Sequence, residues 1–309
     1  MRIGLTGGGS TLESIVNQAR TAEEQGFTSL WYASNVAADP LTAMAIAGRE
    51  TSTIELGTAV LQTYPCHPLL QANRVTAAAD AMGRPGFTLG LGPSHATVVH
   101  DVYGLPYDHP GRNTEEYLTI ITAVLRGEQV DFTGRDWSAH TAGRAAVPTN
   151  PVQVLLSALS PRMLRIAGAI ADGTVLWMAS AKAIATHIAP AIHAAATDAG
   201  RSAPRIVAGL PVAVHDDEAE ARSATQATAG MYAQMPNYQR IIETGGGTSP
   251  ADVAIVGTEA SVRRQLCELL DAGATDIWAQ PIAVGHDRSQ RAQSRQRTTD
   301  LLRELLAEQ

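Results

Sequence analysis

The chain of 309 residues is 45% hydrophobic with a net charge of −7, the composition of a globular protein with a sizeable core and no overall basic field for nucleic acid. Lys182 is its single lysine, which argues against a P-loop and against Schiff-base chemistry, since both need a placed lysine. Cys66 and Cys267 stand far apart with no CxxC pair, so neither a disulfide framework nor a zinc site is expected.

The N-terminus enters a strand pattern at once, Arg2-Ile-Gly-Leu-Thr6, with no signal-peptide pattern ahead of it. No run of about 18 apolar residues follows, so a soluble, cytoplasmic protein without a membrane span is expected. Along the chain one pattern recurs: a helical stretch ends at Gly and an apolar strand follows. It occurs at Glu24-Gln-Gly-Phe-Thr-Ser-Leu-Trp-Tyr32, Met82-Gly-Arg-Pro-Gly-Phe-Thr-Leu-Gly-Leu91, Asp172-Gly-Thr-Val-Leu-Trp-Met178 and Asp271-Ala-Gly-Ala-Thr-Asp-Ile-Trp278. Glycine closes a helix in the left-handed conformation, and short connections suit parallel units. With Ile3–Thr6, Ile54–Leu61, Val152–Ser157 and Ile206–Val214 this gives eight strands. Helices are expected over 11–25, 40–50, 69–82, 112–126, 161–171, 181–199, 217–243 and from about 288.

Eight strands alternating with helices predict an α/β (β/α)8 TIM barrel. A doubly wound nucleotide fold fits less well: Gly7-Gly-Gly-Ser10 is followed by Thr11 and Leu12, which break the GxGxxG spacing. Ser10 or Thr11 is better read as a helix N-cap. Residues 93–111 and 230–258 interrupt the alternation and read as binding loops or lids. No change of composition marks a second domain, so residues 1–309 are expected to form one.

In such a barrel the reactive groups sit at the C-terminal ends of the strands. Those ends hold Ser34 and Asn35, Gln62 to His67, Ser94 and His95, Ser157 to Ser160, Met178 to Ser180, and Gln280. Ser157-Ala-Leu-Ser-Pro-Arg162 places Ser160 to cap a helix with Pro161 in its first turn and Arg162 beside it, an arrangement that suits an anion as well as a plain cap. His95 is the one strand-end histidine suited to proton transfer near neutral pH, though a structural loop histidine is the alternative. His67 reads as orienting its loop or starting the next helix, Asp39 as a helix start and His109 as a turn residue. No HxH, HExxH or cluster of strand-end acids occurs, so no metal site is expected and a two-carboxylate hydrolase is disfavoured. A pocket so poor in charge suits a large planar organic cofactor that carries the chemistry itself.

These residues resemble the bacterial luciferase-like family, and within it the branch that uses the deazaflavin coenzyme F420. The likeness is carried by Gly57-Thr-Ala-Val-Leu with the following Tyr-Pro and His-Pro, by Phe87-Thr-Leu-Gly-Leu-Gly92, by Ser157-Ala-Leu-Ser-Pro-Arg-Met-Leu-Arg-Ile-Ala-Gly168, by Ala171-Asp-Gly-Thr-Val-Leu-Trp-Met178 and by Val256-Gly-Thr258. The resemblance implies that the third strand ends in a bulge at Thr58, Ala59 and Val60, with a cis Ala59–Val60 peptide, backing the central ring of the deazaflavin. Ser34, Gln62, Ser157, Ala158, Leu159, Ser160, Arg162 and Met178 are the other implied coenzyme contacts. Related glucose-6-phosphate dehydrogenases place a His after strand two and a Glu after strand four for proton transfer. Asn35 and His95 hold those positions here, which disfavours the sugar-phosphate reaction and leaves His95 as the candidate proton donor.

The reading is an F420-dependent oxidoreductase that moves a hydride between the deazaflavin and a small organic substrate. The alternatives are an FMN-dependent monooxygenase of the same superfamily and a coenzyme-binding protein without turnover. Relatives imply a homodimer. The arginines from 288 to 297 are accompanied by Asp300, Glu304 and Glu308 and read as a solvated helix, with no nucleic-acid partner.

Overall fold

The computed structural model describes residues 1–143 and 147–308. Eight parallel strands close on themselves: β1 (Arg2–Gly7), β2 (Ser29–Tyr32), β3 (Glu55–Thr58), β4 (Phe87–Gly92), β5 (Gln153–Leu156), β6 (Gly173–Trp177), β7 (Arg205–Val214) and β8 (Asp276–Pro281). Each pairs with the next, and β8 pairs back with β1 through Ile3 opposite Ile277. The principal helices outside the barrel are α1 (Leu12–Glu24), α2 (Pro40–Arg49), α3 (Pro68–Met82), α4 (Pro110–Leu125), α5 (Pro161–Ile170), α6 (Ala189–Asp198), α7 (Glu259–Asp271) and α8 (Arg288–Ala307). This is the (β/α)8 TIM barrel expected from the alternation. No helix among the described residues is long and apolar enough to cross a membrane.

Local chemistry explains where the helices begin. Thr11 and Ser14 form a reciprocal capping box at α1, whose Ile15, Val16, Ala19 and Ala22 make one buried stripe. Asp39 accepts from Leu41 N–H at 3.3 Å, His67 Nδ1 from Leu69 N–H at 3.2 Å, and Ser160 Oγ from Met163 N–H at 3.4 Å. In all three the next residue is a proline in the first helical position, where its missing N–H costs nothing.

Two expectations need correction. The strand expected over 54–61 stops at Thr58 and resumes as Leu61–Gln62, paired with Leu91 and Gly92 of β4. The helix expected over 217–243 is two, Glu218–Ala229 and Pro236–Thr244, with a 3-10 turn at Gly230–Gln234 between them. Gly230 and Pro236 account for the break: glycine is a poor helix residue and proline has no N–H to continue one. The segment 93–111 contains one π-helical turn, Val98–Val102. A small antiparallel hairpin, Asp131–Thr133 with Ser138–His140, was not anticipated, because each arm is only three residues long. A short strand, Ile255–Gly257, adds to the end of β7.

The barrel interior is unusually aromatic. Trp31 on β2 and Trp278 on β8 lie 6.4 Å apart between ring centroids, and Trp177 on β6 is 5.0 Å from Trp278. These strands are not neighbours, so the rings meet across the interior. Strands next to those that bear the rings supply glycine where the rings pass. A Cβ on Gly209 of β7 would fall 2.3 Å from Trp278, and one on Gly57 of β3 would fall 2.5 Å from Trp31. Below the rings, Arg205 binds both Glu55 (2.7 Å) and Asp276 (2.7 Å), and Arg2 binds the same two carboxylates. Arg205 also lies 5.6 Å from the Trp31 ring centre. The N-terminal end of the barrel is thus filled by a network whose charges are mutually satisfied.

Candidate active site

At the opposite end, β3 leaves its ladder. Thr58 is fully buried, its hydroxyl donating to Gly90 O at 2.7 Å and accepting from Gly90 N–H at 2.9 Å. The Ala59–Val60 peptide that follows is cis, at the position the resemblance implied. Ala59 N–H donates to Tyr32 O at 2.8 Å, which ties the bulge to β2. Glycines on β4 allow this close approach. A Cβ on Gly90 would fall 2.0 Å from Thr58 O, and one on Gly92 would fall 2.9 Å from Val60 and 3.3 Å from Ser157. Val60 and Ser157 therefore meet at Gly92, which brings the bulge beside the turn after β5. Gln62, half-buried, continues the strand past the bulge.

In that turn Ser157 N–H donates to Leu91 O, but the N–H groups of Ala158, Leu159 and Ser160 donate to no acceptor among the described residues. Buried backbone donors are nearly always paired, and Ala158 is fully buried. Three amides at one strand–helix turn without protein acceptors suit an anionic oxygen, such as a phosphate. His187 Nε2 contacts Leu159 O at 2.8 Å and fixes the far side of the turn. Arg162 lies over Gly111 and pairs with Glu115 at 3.4 Å. Met178, fully buried at the end of β6, has a left-handed φ of 64°, and so does Ser94 after β4. Non-glycine residues held in that region mark places where the surroundings dictate the backbone.

His95 is half-buried, and burial pushes its imidazole below the usual histidine range. Its ring lies 5.7 Å from that of Tyr238, which packs on Tyr232 at 4.9 Å; Tyr232 in turn meets Trp177 at 5.9 Å. A continuous aromatic path thus runs from His95, through the segment 230–244, down to the barrel interior. Burial raises the hydroxyl pKa of both Tyr232 and Tyr238, so both stay protonated at neutral pH. Ser34 and Asn35 lie in the turn after β2, Ser34 half-buried and Asn35 exposed. No group of three or more metal-ligating side chains occurs among the described residues.

The bulge, the amide turn and His95 come from three successive C-terminal ends of the barrel, β5 following β4 and β4 following β3. An uncharged bulge beside a turn with three amides that lack protein acceptors fits a planar ring system with a phosphate-bearing side chain. The sequence profile of the luciferase-like monooxygenases matches residues 2–276, and the chain belongs to that family. It is 26% identical over 305 residues to a 5,10-methylenetetrahydromethanopterin reductase of Methanolobus tindarius, covering 89% of this chain and 92% of that one. It is 29% identical over 286 residues to an F420-dependent hydroxymycolic acid dehydrogenase of Mycobacterium tuberculosis, covering 85% and 77%. In fold it matches the oxygenating constituent of 3,6-diketocamphane monooxygenase of Pseudomonas putida, solved with FMN, with a TM-score of 0.75 and 17% identity over 100% of this chain and 98% of that one.

Residue patterns did not reveal the aromatic path or His187. Tyr232 and Tyr238 lie within the stretch read as one helix over 217–243, where nothing local marks them. Their pairing with Trp177 and His95 exists only in the fold.

Proposed function

We propose that the protein is an F420-dependent oxidoreductase acting on a small organic acceptor carrying an activated C=C, C=O or C=N bond, and that it works as a homodimer, which the native mass in solution tests. The observation that carries the reading is the meeting of Val60 and Ser157 at Gly92. It sets a neutral bulge suited to a flat ring beside three amides suited to its phosphate. The F420-dependent relative at 29% identity supports the choice of coenzyme.

Thr58, Ala59, Val60 and Gln62 would hold the ring, with Ser34 and Met178 beside it, and Ser157 to Ser160 its phosphate. When bound, the reduced coenzyme supplies the hydride. The chain's part is to fix one ring face, exclude water with Tyr232, Tyr238 and Trp177, and hold a proton near the acceptor at His95. Asn35, where related sugar-phosphate dehydrogenases place a histidine, would orient the acceptor by hydrogen bonding.

The FMN-bound fold neighbour keeps a second reading open, a monooxygenase fed reduced FMN by a separate reductase. Titrating the purified protein with F420 and with FMN, each followed by its own fluorescence, separates the two. Selective F420 binding is expected. Selective FMN binding would transfer the assignment to the monooxygenase, and F420 binding without turnover on a broad acceptor panel would leave a carrier of the coenzyme.

A further inference from the structure

The helix Pro236–Thr244 faces two ways. One side, through Asn237, Arg240 and Thr244, lines a cleft of about 300 Å³ shared with Leu159, Ser160 and His187. The spacing of those three residues, three and then four apart, keeps them on one face. The cleft therefore opens beside the amides that find no protein acceptor. The helix also carries Tyr238, whose ring covers His95, while Ile241 and Ile242 are buried beneath it. Its C-terminal end is seated on the loop after β6, where a Cβ on Gly245 would fall 2.3 Å from Ser180 Oγ.

Arg240 has no carboxylate partner among the described residues. Its guanidinium donates to the Asn237 side-chain oxygen, and Glu243, which also lines the cleft, is not paired with it. An arginine with no direct carboxylate contact, at the edge of a cleft that reaches the amides of Leu159 and Ser160, keeps its planar donors available to an anionic group, with Glu243 on the same cleft offsetting part of its charge. Guanidinium groups favour phosphate and carboxylate oxygens because their planar donors match both.

We infer that Arg240 is a positioning residue that binds the anionic side chain of the coenzyme, and that this contact pins the helix bearing Tyr238 over His95. The inference rests on the proposed coenzyme site. F420 carries a phosphodiester and glutamate carboxylates beyond its ring, so its tail can reach the cleft while the ring lies against the bulge. Binding of the anion and closure of the aromatic cover are then two readings of one equilibrium, and each strengthens the other. A ring without a charged tail would bind the bulge and leave the cover loose.

The test compares wild type, Arg240→Ala and Arg240→Lys in titrations with F420 and with its ribityl deazariboflavin core, which has the same ring but neither phosphate nor glutamates. Amide hydrogen exchange over residues 236–244 is followed in parallel. Loss of one charge-assisted contact weakens binding by about tenfold or more. R240A is expected to lose that much for F420 and nothing for the deazariboflavin core, with R240K recovering part. F420, and not the deazariboflavin core, is expected to slow exchange in the helix of wild type, and R240A is expected to abolish the slowing. Unchanged F420 affinity in R240A, or an equal loss for both ligands, overturns the role of Arg240 while leaving the coenzyme site standing. Failure of wild type to bind either ligand overturns the site itself, and the inference with it.

Discussion

Burial decides what His95 can do. Its pKa lies below the usual histidine value, so at neutral pH the ring is mostly uncharged, and the imidazolium form gains ground only as the pH falls through the lowered value. Turnover that uses His95 as an acid should therefore rise as the pH drops below about 6.5. Removing the side chain should erase that rise. A general acid contributes on the order of 10² to 10⁴ in rate, so His95→Ala should slow turnover by about that factor with F420 affinity nearly intact. Unaltered turnover would falsify the role. The same shift has a consequence for stability: a histidine kept neutral by burial stabilises the fold above its unfolded pKa, and that contribution fades as the pH falls through the folded one. The site was legible residue by residue only where a local pattern encoded it. Ser160-Pro161 announces a helix start, and Gly57-Thr-Ala-Val60 carried the resemblance that located the bulge. Tyr238 gave no such sign, because its significance comes from a ring more than 140 positions earlier, on His95.

Among the elements, α5 does double duty. Ser160 caps it at 3.4 Å, a long bond, while the amides just before it face the proposed phosphate. Ser160→Ala should cost about 1 kcal/mol of stability, read by urea unfolding, and should also weaken F420 through disorder of the turn. A stability loss with unchanged F420 affinity would show that the turn serves the helix alone. Helix starts were easy to read because their chemistry is local, and Asp39, His67 and Ser160 each occupy the expected place. The interruption of β3 was not readable. Ile54 to Leu61 favours a strand throughout, and only the packing of Thr58 against Gly90 shows why the ladder stops there.

For the molecule as a whole, the alternation of strands and helices was sufficient to predict the barrel, since the period repeats eight times. The ion network beneath it was invisible, because residues 2, 55, 205 and 276 share no local pattern. Arg205 is its centre. Burial would lower its pKa, but bonds from Asp276 and Glu55 outweigh that and hold it charged. Burial likewise opposes ionisation of Asp276, yet the bonds from Arg205, Thr275 and Arg2 keep its pKa below 3.8. Arg205→Met would leave two buried carboxylates without their main partner, at a cost of about 3–5 kcal/mol at neutral pH. A depressed carboxylate stabilises the fold above its unfolded pKa and loses that contribution as the pH falls through the folded value. The gap between wild type and R205M in urea unfolding should therefore narrow below about pH 4. Equal stability at pH 7 would mean that the network is energetically idle.

Three of the four tryptophans, Trp31, Trp177 and Trp278, sit in the barrel under the proposed ring site, and only Trp137 lies outside that group. Indole emission overlaps the near-ultraviolet absorption of flavins and deazaflavins, so excitation energy should pass from these rings to a chromophore stacked above them. Binding would darken the protein's native fluorescence. The chain thus carries its own optical reporter of occupancy, one that needs no label and no turnover.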